Sequence, residues 1–355
     1  MRNQLILLLI CGLFSQQNYG QSSQDLQKVT NLFYESLTEV QQDRILYTFE
    51  DSLRTKWTNL PVGLMPRPGL AFGELSDESK IAFHQVLTTL FSSQGYLKTT
   101  SIMHLDDILN MLYKQAFEKG EINEKMYKQI QDLDWSYGHY FLSLWGKPNS
   151  EKPWGLKMGG HHISFNLTVN QDDYAITPFF IGTDPAEVPS TQFAGLRVLS
   201  KEEDYGLMLI NSLSQSQQTQ ATLSQEVPGD IITNPAASQR IDDYYGISVR
   251  DFNEHQKGLL EILIQEFTHN LDHEKAHKEY QKILATGLEH IYFAWIGSYE
   301  RKKPHYYIIN GPDFIIEYDN VGWKKDGNHI HAIWREKGND FGEDILKTHY
   351  LNDKH

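Results

Sequence analysis

Two stretches of this sequence abandon helical spacing for a period of two. They run from about 139 to 180 and from about 291 to 336. In both, aromatic and β-branched residues alternate with small or polar ones, and glycine, Asn and Asp mark turns. That pattern is the signature of strands. In the first block strands are expected near 139–145, 154–158, 161–169 and 173–180. In the second they are HIYFAWIGSY, HYYIIN, DFIIEYD and HIHAIWRE. Short turns separate the strands of each block, which favours antiparallel pairing. The remainder reads as helix and loop. After Ser76, Phe83, Val86, Leu87, Leu90 and Phe91 form the stripe of a core-facing helix, with Gly95 read as its stop. Further helices are expected over 24–57, within 101–131, and at 200–219, where Ser200 and Glu203 have capping-box spacing. Others are expected at 259–267, 276–286 and 341–350. No repeat or linker divides the chain. The expected fold is a single α+β domain over 21–355, with a mixed or mainly antiparallel sheet assembled from both strand blocks and flanked by helices.

Residues 1–20, MRNQLILLLICGLFSQQNYG, place Arg2 before an apolar run from Leu5 to Phe14 and a polar, small-residue stretch. That is the layout of a secretory signal peptide, so the protein is expected to be secreted or periplasmic. The run is too short for a membrane span, which takes about 20 apolar residues. A lipoprotein anchored through Cys11 is the weaker variant, because Ile10 is bulky where lipidation signals prefer a small residue. Cys11 is the sole cysteine. With it removed, the working chain has no thiol, which excludes disulfide scaffolds, cysteine zinc clusters and iron–sulfur sites. A net charge of −14 argues against nucleic-acid partners. Nothing sets an oligomeric state.

The chain lacks Gly-x-Ser-x-Gly, phosphate-cradling and dinucleotide-binding glycine loops, and the His-Glu-x-x-His zinc signature. Chemistry is left to histidine and carboxylate. His329 and His331, two apart on a strand, share one face, and imidazole is the commonest metal ligand. A hairpin symmetric about Lys324 would set Glu317 opposite His331 and Asp319 opposite His329, on that same face. In GGHHISFNLTV, alternation puts His162 with Ser164, Asn166 and Thr168, and His161 with Ile163, Phe165 and Leu167. His162 is the better ligand on pattern, and His161 reads equally as a core histidine. The two preceding glycines permit a close backbone approach or a bulge. A third set is Arg335, Glu336, Asn339, Asp340, Asp344 and His349. There Arg335 could bind an anionic group, whereas Asp340 with Glu343 has the spacing of a helix cap. Trp145, Trp154, Phe179, Phe180, Trp295, Tyr306, Tyr307 and Trp334 read as sheet core, with an aromatic ligand wall as the alternative.

The strings WGxxxGGHH, TPFFIGTDPAEV, YYIINGPDFIIEYDN and HIHAIWREKGNDFGEDILKTHY resemble the secreted proteins of the domain of unknown function 3500 family. The resemblance runs from about residue 76 to the C-terminal His-Tyr. It implies a shared fold and marks GHH and the His-x-His…Arg…Asn-Asp-Phe-Gly segment as hallmarks, but it implies no activity. His-x-His followed by Glu336 also echoes a cupin metal motif, although a helix is expected where a cupin needs more strands.

The leading expectation is an exported metal-dependent hydrolase. His329, His331 and His162 or His161 would hold a divalent transition metal (zinc, copper or iron). Glu317 or Asp340 would act as general base or fourth ligand, and Arg335 would stabilise negative charge. A copper or iron oxidoreductase is the first alternative. A non-catalytic protein that binds a small molecule or glycan is the second.

Overall fold

Eight long strands form the body of the sheet: β1 (Phe141–Trp145), β2 (Trp154–Gly159), β3 (Ile163–Asn170), β4 (Phe179–Thr183), β5 (Tyr292–Gly297), β6 (His305–Asn310), β7 (Phe314–Asp319) and β8 (Ile330–Glu336). Their order is β1-β2-β3-β4-β8-β7-β6-β5, and every neighbouring pair is antiparallel. Each block is therefore a four-stranded meander, and the pairing of β4 with β8 is the seam that joins them. Five strands of two or three residues complete a 13-stranded sheet. Two of them, Leu46–Tyr47 and Thr222–Ser224, pair in parallel, so the sheet is mixed. This is a computed structural model, and it describes residues 21–149, 151–235 and 241–352. The export signal read over 1–20 lies outside the described residues.

Alternation divides the two faces. Ile163, Phe165, Leu167 and Val169 of β3 join Ile316, Tyr318, Ala332 and Trp334 in the main core. Helices supply the other half of that core. Asp77–Leu90 contributes Phe83, Leu87 and Leu90, Ser93–Glu118 contributes Ile102 and Met103, and Glu254–Thr268 contributes Leu260, Leu263 and Ile264. Each such side chain adds about 1.5–3 kcal/mol when fully buried. The opposite face carries His162, Ser164, Glu317, Asp319, His331 and Arg335. Irregular chain covers it: Trp57 and Ile231 pack on Phe180 and Ile333, and Val227, Ile232 and Ile241 pack on Ile308 and Ile315. Helices on one face and loops on the other make a single α+β domain.

Several boundaries differ from the sequence reading. The expected helix at 24–57 breaks into Gln21–Glu35 and Glu39–Ile45, because Thr38 is extended and caps the second helix in a box with Gln41. Gly95 does not end the helix begun at Ser76, which stops at Leu90. Gly95 lies in the first turn of the next helix, where a Cβ would sit 2.0 Å from the Asn270 carbonyl oxygen. The Ser200–Glu203 capping box does not form. Leu199 occupies the cap position without a side-chain bond, and Glu203 instead accepts from Arg197 at 2.6 Å. The strand expected at 173–180 splits into Asp173–Ala175 and β4 around Pro178, which has no N–H for the ladder.

Candidate metal centre

The seam between the meanders ends in histidines. His331 of β8 lies opposite Gly182 of β4 on one side and Asp319 of β7 on the other. His329 precedes β8, and His162 immediately precedes β3, held there by a bond from the Gly182 N–H to its carbonyl at 2.8 Å. Gly182 makes the convergence possible. A Cβ on it would lie 2.7 Å from His162 Cδ2 and 3.2 Å from His331 Cδ2. The expected hairpin register is corrected by two residues. Asp319 faces His331, and Glu317 faces Ile333. An even offset preserves side-chain parity, so Glu317, Asp319 and His331 do share a face.

Three Nε2 atoms meet at one point. His162 Nε2 is 3.0 Å from His329 Nε2, which is 3.1 Å from His331 Nε2. Nitrogens bound at 2.0–2.1 Å around one tetrahedral ion lie about 3.3 Å apart. Hydrogen bonding alone accounts poorly for this cluster. An Nε2 carries either one proton or one in-plane lone pair, so His329 Nε2 cannot make two well-aligned bonds to two other Nε2 atoms. Three lone pairs directed at a cation satisfy all three. The far side of each ring faces a carboxylate. His331 Nδ1 is 2.8 Å from Asp230 Oδ1, His329 Nδ1 is 3.5 Å from Asp184 Oδ2, and His162 Nδ1 is 3.9 Å from Asp106 Oδ1. The Asp230 hydrogen bond fixes the proton on His331 Nδ1 and leaves its Nε2 free to ligate, the usual outer support of histidine metal ligands. Asp184 and Asp106 instead face His329 and His162 from beyond ordinary hydrogen-bond length. The buried histidine and aspartate groups of this seam can hold a metal ion.

The electrostatics agree. Burial, followed by repulsion from the neighbouring imidazoles, drives His162 and His329 well below the ordinary histidine range, so both rings are neutral. Burial also opposes charge on His331, but the Asp230 hydrogen bond and Asp319 outweigh it and raise its pKa. Burial raises Asp184 to about 6 and Asp319 to about 7.

The remaining candidates lie around this point. His161 and His162 both precede β3, so alternation does not set them on opposite faces: their rings lie 3.7 Å apart between centroids and both face Asp106. His161 sets Nδ1 3.0 Å from Asp106 Oδ1 and stacks on Trp135 at 5.0 Å between centroids. Tyr140 donates to the other oxygen of Asp106 at 2.8 Å. Glu317 is fully buried and accepts from the backbone N–H groups of Ile232 and Thr233, from Thr233 Oγ1 and from the Tyr306 hydroxyl. It thereby pins the covering loop to the sheet. Arg335 binds Thr233 through Oγ1 at 3.0 Å and its carbonyl at 2.6 Å, and reaches Asp340 Oδ2 at 2.6 Å. Asp340 therefore serves Arg335, while Asn339 Oδ1 accepts from the Asp344 N–H at 3.2 Å at the start of the last helix. Glu336 neighbours Glu279 and Lys282, and the His349 side chain lies outside what is described. The eight strand aromatics named from the sequence are all buried in the sheet.

Sequence reasoning missed the three outer carboxylates. Asp106 gave a signal, because it interrupts the apolar run of Ile102, Leu105, Ile108 and Leu109 in a helix. Asp184 and Asp230 sit in loops with no period to read. Two hollows flank the histidines. One of about 220 Å3 is lined by His329, Asp184, Tyr113 and Lys324. A larger cleft of about 940 Å3 on the loop-covered face is lined by Asp230, Arg335 and Asp340.

The chain belongs to the family described as protein of unknown function (DUF3500), whose pattern it matches over residues 19–343. No curated protein and no solved structure matches it. Among the described residues, no helix is long and apolar enough to cross a membrane.

Proposed function

We propose that this member of the family is a metal-dependent hydrolase with one divalent ion held by His162, His329 and His331. The observation that carries this reading is the meeting of three Nε2 atoms, each on a ring whose Nδ1 faces a carboxylate. Imidazole ligands leave the ion its full charge once it displaces the proton that Asp230 and Asp319 favour on His331. Such an ion acts as a Lewis acid and brings the pKa of a bound water toward about 7. The hollow beside His329 supplies the approach. Within it, Asp184 can accept a proton and Lys324 can stabilise developing negative charge. Arg335 and Asp340, expected at the reacting centre from the sequence, line the larger cleft instead and serve to position a ligand. An all-nitrogen donor set also accepts copper or iron, which makes redox turnover the second reading. Export through residues 1–20 belongs to the same proposal, and N-terminal sequencing of the extracytoplasmic protein tests it.

The activity test uses untagged protein, stripped with a chelator and reloaded separately with zinc, copper or iron. Each form is assayed on chromogenic esters, phosphoesters and glycosides, and for oxygen consumption. Zinc-dependent hydrolysis of one substrate class, abolished in His329→Ala, is the expected result. A fully loaded protein no faster than His329→Ala on every substrate would overturn the hydrolase reading. Oxygen consumption only with copper or iron would replace it with the oxidoreductase.

A further inference from the structure

We infer that the cleft of about 940 Å3 on the loop-covered face binds a small organic anion with an apolar body. This goes beyond the metal reading and does not depend on it. The volume is that of a small-molecule site. Although the whole chain carries 46 acidic against 32 basic residues, the cleft gathers Lys56, Arg67, Lys157, Arg335 and Lys337 on its walls.

Arg335 has a carboxylate partner in Asp340. Among the described residues, the other four have none within ion-pair distance. Lys157 donates to the carbonyls of Leu53, Arg54 and Lys56 at 2.9, 2.8 and 2.5 Å. Arg67 donates to the carbonyls of Thr58 at 3.2 Å and Gly160 at 2.9 Å, and to those of Leu60 and Met65. Lys337 donates to Asn310 and Gly311. The acidic residues of the cleft are mostly engaged elsewhere. Asp230 receives His331 and Asn59, Asp340 receives Arg335, Glu336 is within reach of Lys282, and Asp242 faces solvent.

Two polar groups on the same walls lack any partner. Ser164 is 1 % exposed and its Oγ has no hydrogen bond, and the buried Nε of Arg67 has none either. Unsatisfied buried polar groups are rare and costly, and both belong to residues that line the cleft. Uncompensated burial has a second consequence, lowering Arg67 to about 10 and Lys157 to about 7. Trp57, Ile315 and Phe341 give the cleft its apolar surface, which calls for a ligand with a flat or aliphatic body behind its charged group. A carboxylate and a phosphate ester share the required chemistry.

The test is calorimetric titration of the full chain with 1-naphthoate, 1-naphthyl phosphate, neutral 1-naphthamide and inorganic phosphate. Both naphthyl anions should bind saturably, with naphthamide at least about tenfold weaker and inorganic phosphate weaker than naphthyl phosphate. The ratio of the two anions' affinities identifies the preferred head group. Added salt should weaken both, since the attraction is electrostatic. Arg67→Met should reduce affinity about tenfold. Because Arg67 also ties down neighbouring carbonyls, the exposed Lys56→Ser serves as the variant that leaves the fold intact, with a loss of about threefold expected. Chelator-stripped protein should bind equally well, so failure of the metal reading leaves this result standing. Equal binding of naphthamide, absence of binding by both naphthyl anions, or undiminished affinity in folded Arg67→Met and Lys56→Ser overturns the inference.

Discussion

Replacing Gly182 with alanine adds one carbon beneath the histidine cluster, and the structure says where it must go. The new Cβ would lie 2.7 Å from His162 Cδ2, 2.7 Å from the Ile330 carbonyl oxygen and 3.2 Å from His331 Cδ2. Ordinary carbon contacts are about 3.5–4.0 Å, so the His162 ring must retreat by about 1 Å. The Ile330 oxygen belongs to the β8 ladder and cannot yield without disturbing His331. Metal–nitrogen distances tolerate only about 0.2 Å, and a shift of that size removes His162 as a ligand. Metal affinity should fall by about 100-fold or more. Overpacking costs about 1–3 kcal/mol, and replacing glycine returns about 0.4–1 kcal/mol through the unfolded chain. The net loss of stability should therefore stay below about 2.6 kcal/mol, and the protein should remain folded. Competition against a chromophoric zinc chelator measures the affinity, and urea unfolding measures the stability. Gly159→Ala is the control, because its Cβ would meet only Arg67 Cγ at 3.8 Å. Parental zinc affinity in folded Gly182→Ala would refute the placement of the ion.

Three other perturbations probe separate parts of the account. Asp230→Asn takes the carboxylate from His331 Nδ1 and should weaken zinc binding about 10–100-fold in the same competition assay, an unchanged affinity counting against its supporting role. Lys98 bridges Glu202 at 2.8 Å and Glu266 at 2.6 Å between three helices, with Glu202 fully buried. Lys98→Met strands that charge and should cost about 3–5 kcal/mol in urea unfolding, whereas a loss under about 1 kcal/mol would show that the bridge contributes little. Burial opposes ionisation of Asp173, but Lys275 and Lys278 outweigh it and lower its carboxyl to about 2. Its folded value lies below the ordinary value of about 3.9, so its contribution is present above about pH 4 and is lost as pH falls toward 2. Acid unfolding of Asp173→Asn should show a shallower fall across that window than the parent, and identical curves would exclude the linkage.

Both meanders were legible because each strand carries its own alternation, and the turns within a block are short. The pairing of β4 with β8 was not, since it joins residues about 150 positions apart and no local pattern encodes it. That seam creates the site, so the sequence could name His162, His329 and His331 without showing what brings them together. Parity carried further than register. A hairpin centred on Lys324 misses the register by two residues, yet it puts Glu317, Asp319 and His331 on the correct common face. Glu317 illustrates the limit of face assignment. It shares the histidines' face, but residues 232 and 233 of the covering loop occupy its oxygens. The glycines preceding His161 were read as allowing close approach. Gly160 does so, since a Cβ on it would lie 2.3 Å from Tyr140 Cδ1, whereas a Cβ on Gly159 would meet only Arg67 Cγ at 3.8 Å.

The most direct test is the metal content of the chain itself. Untagged protein loaded with zinc, desalted and analysed by mass spectrometry should retain one ion per chain. His162→Ala, His329→Ala and His331→Ala should each lose it, while His161→Ala, whose ring lies beyond the meeting point of the three nitrogens, should keep it. A parent that retains no ion, or a folded triple variant lacking His162, His329 and His331 that retains as much as the parent, would contradict the metal centre.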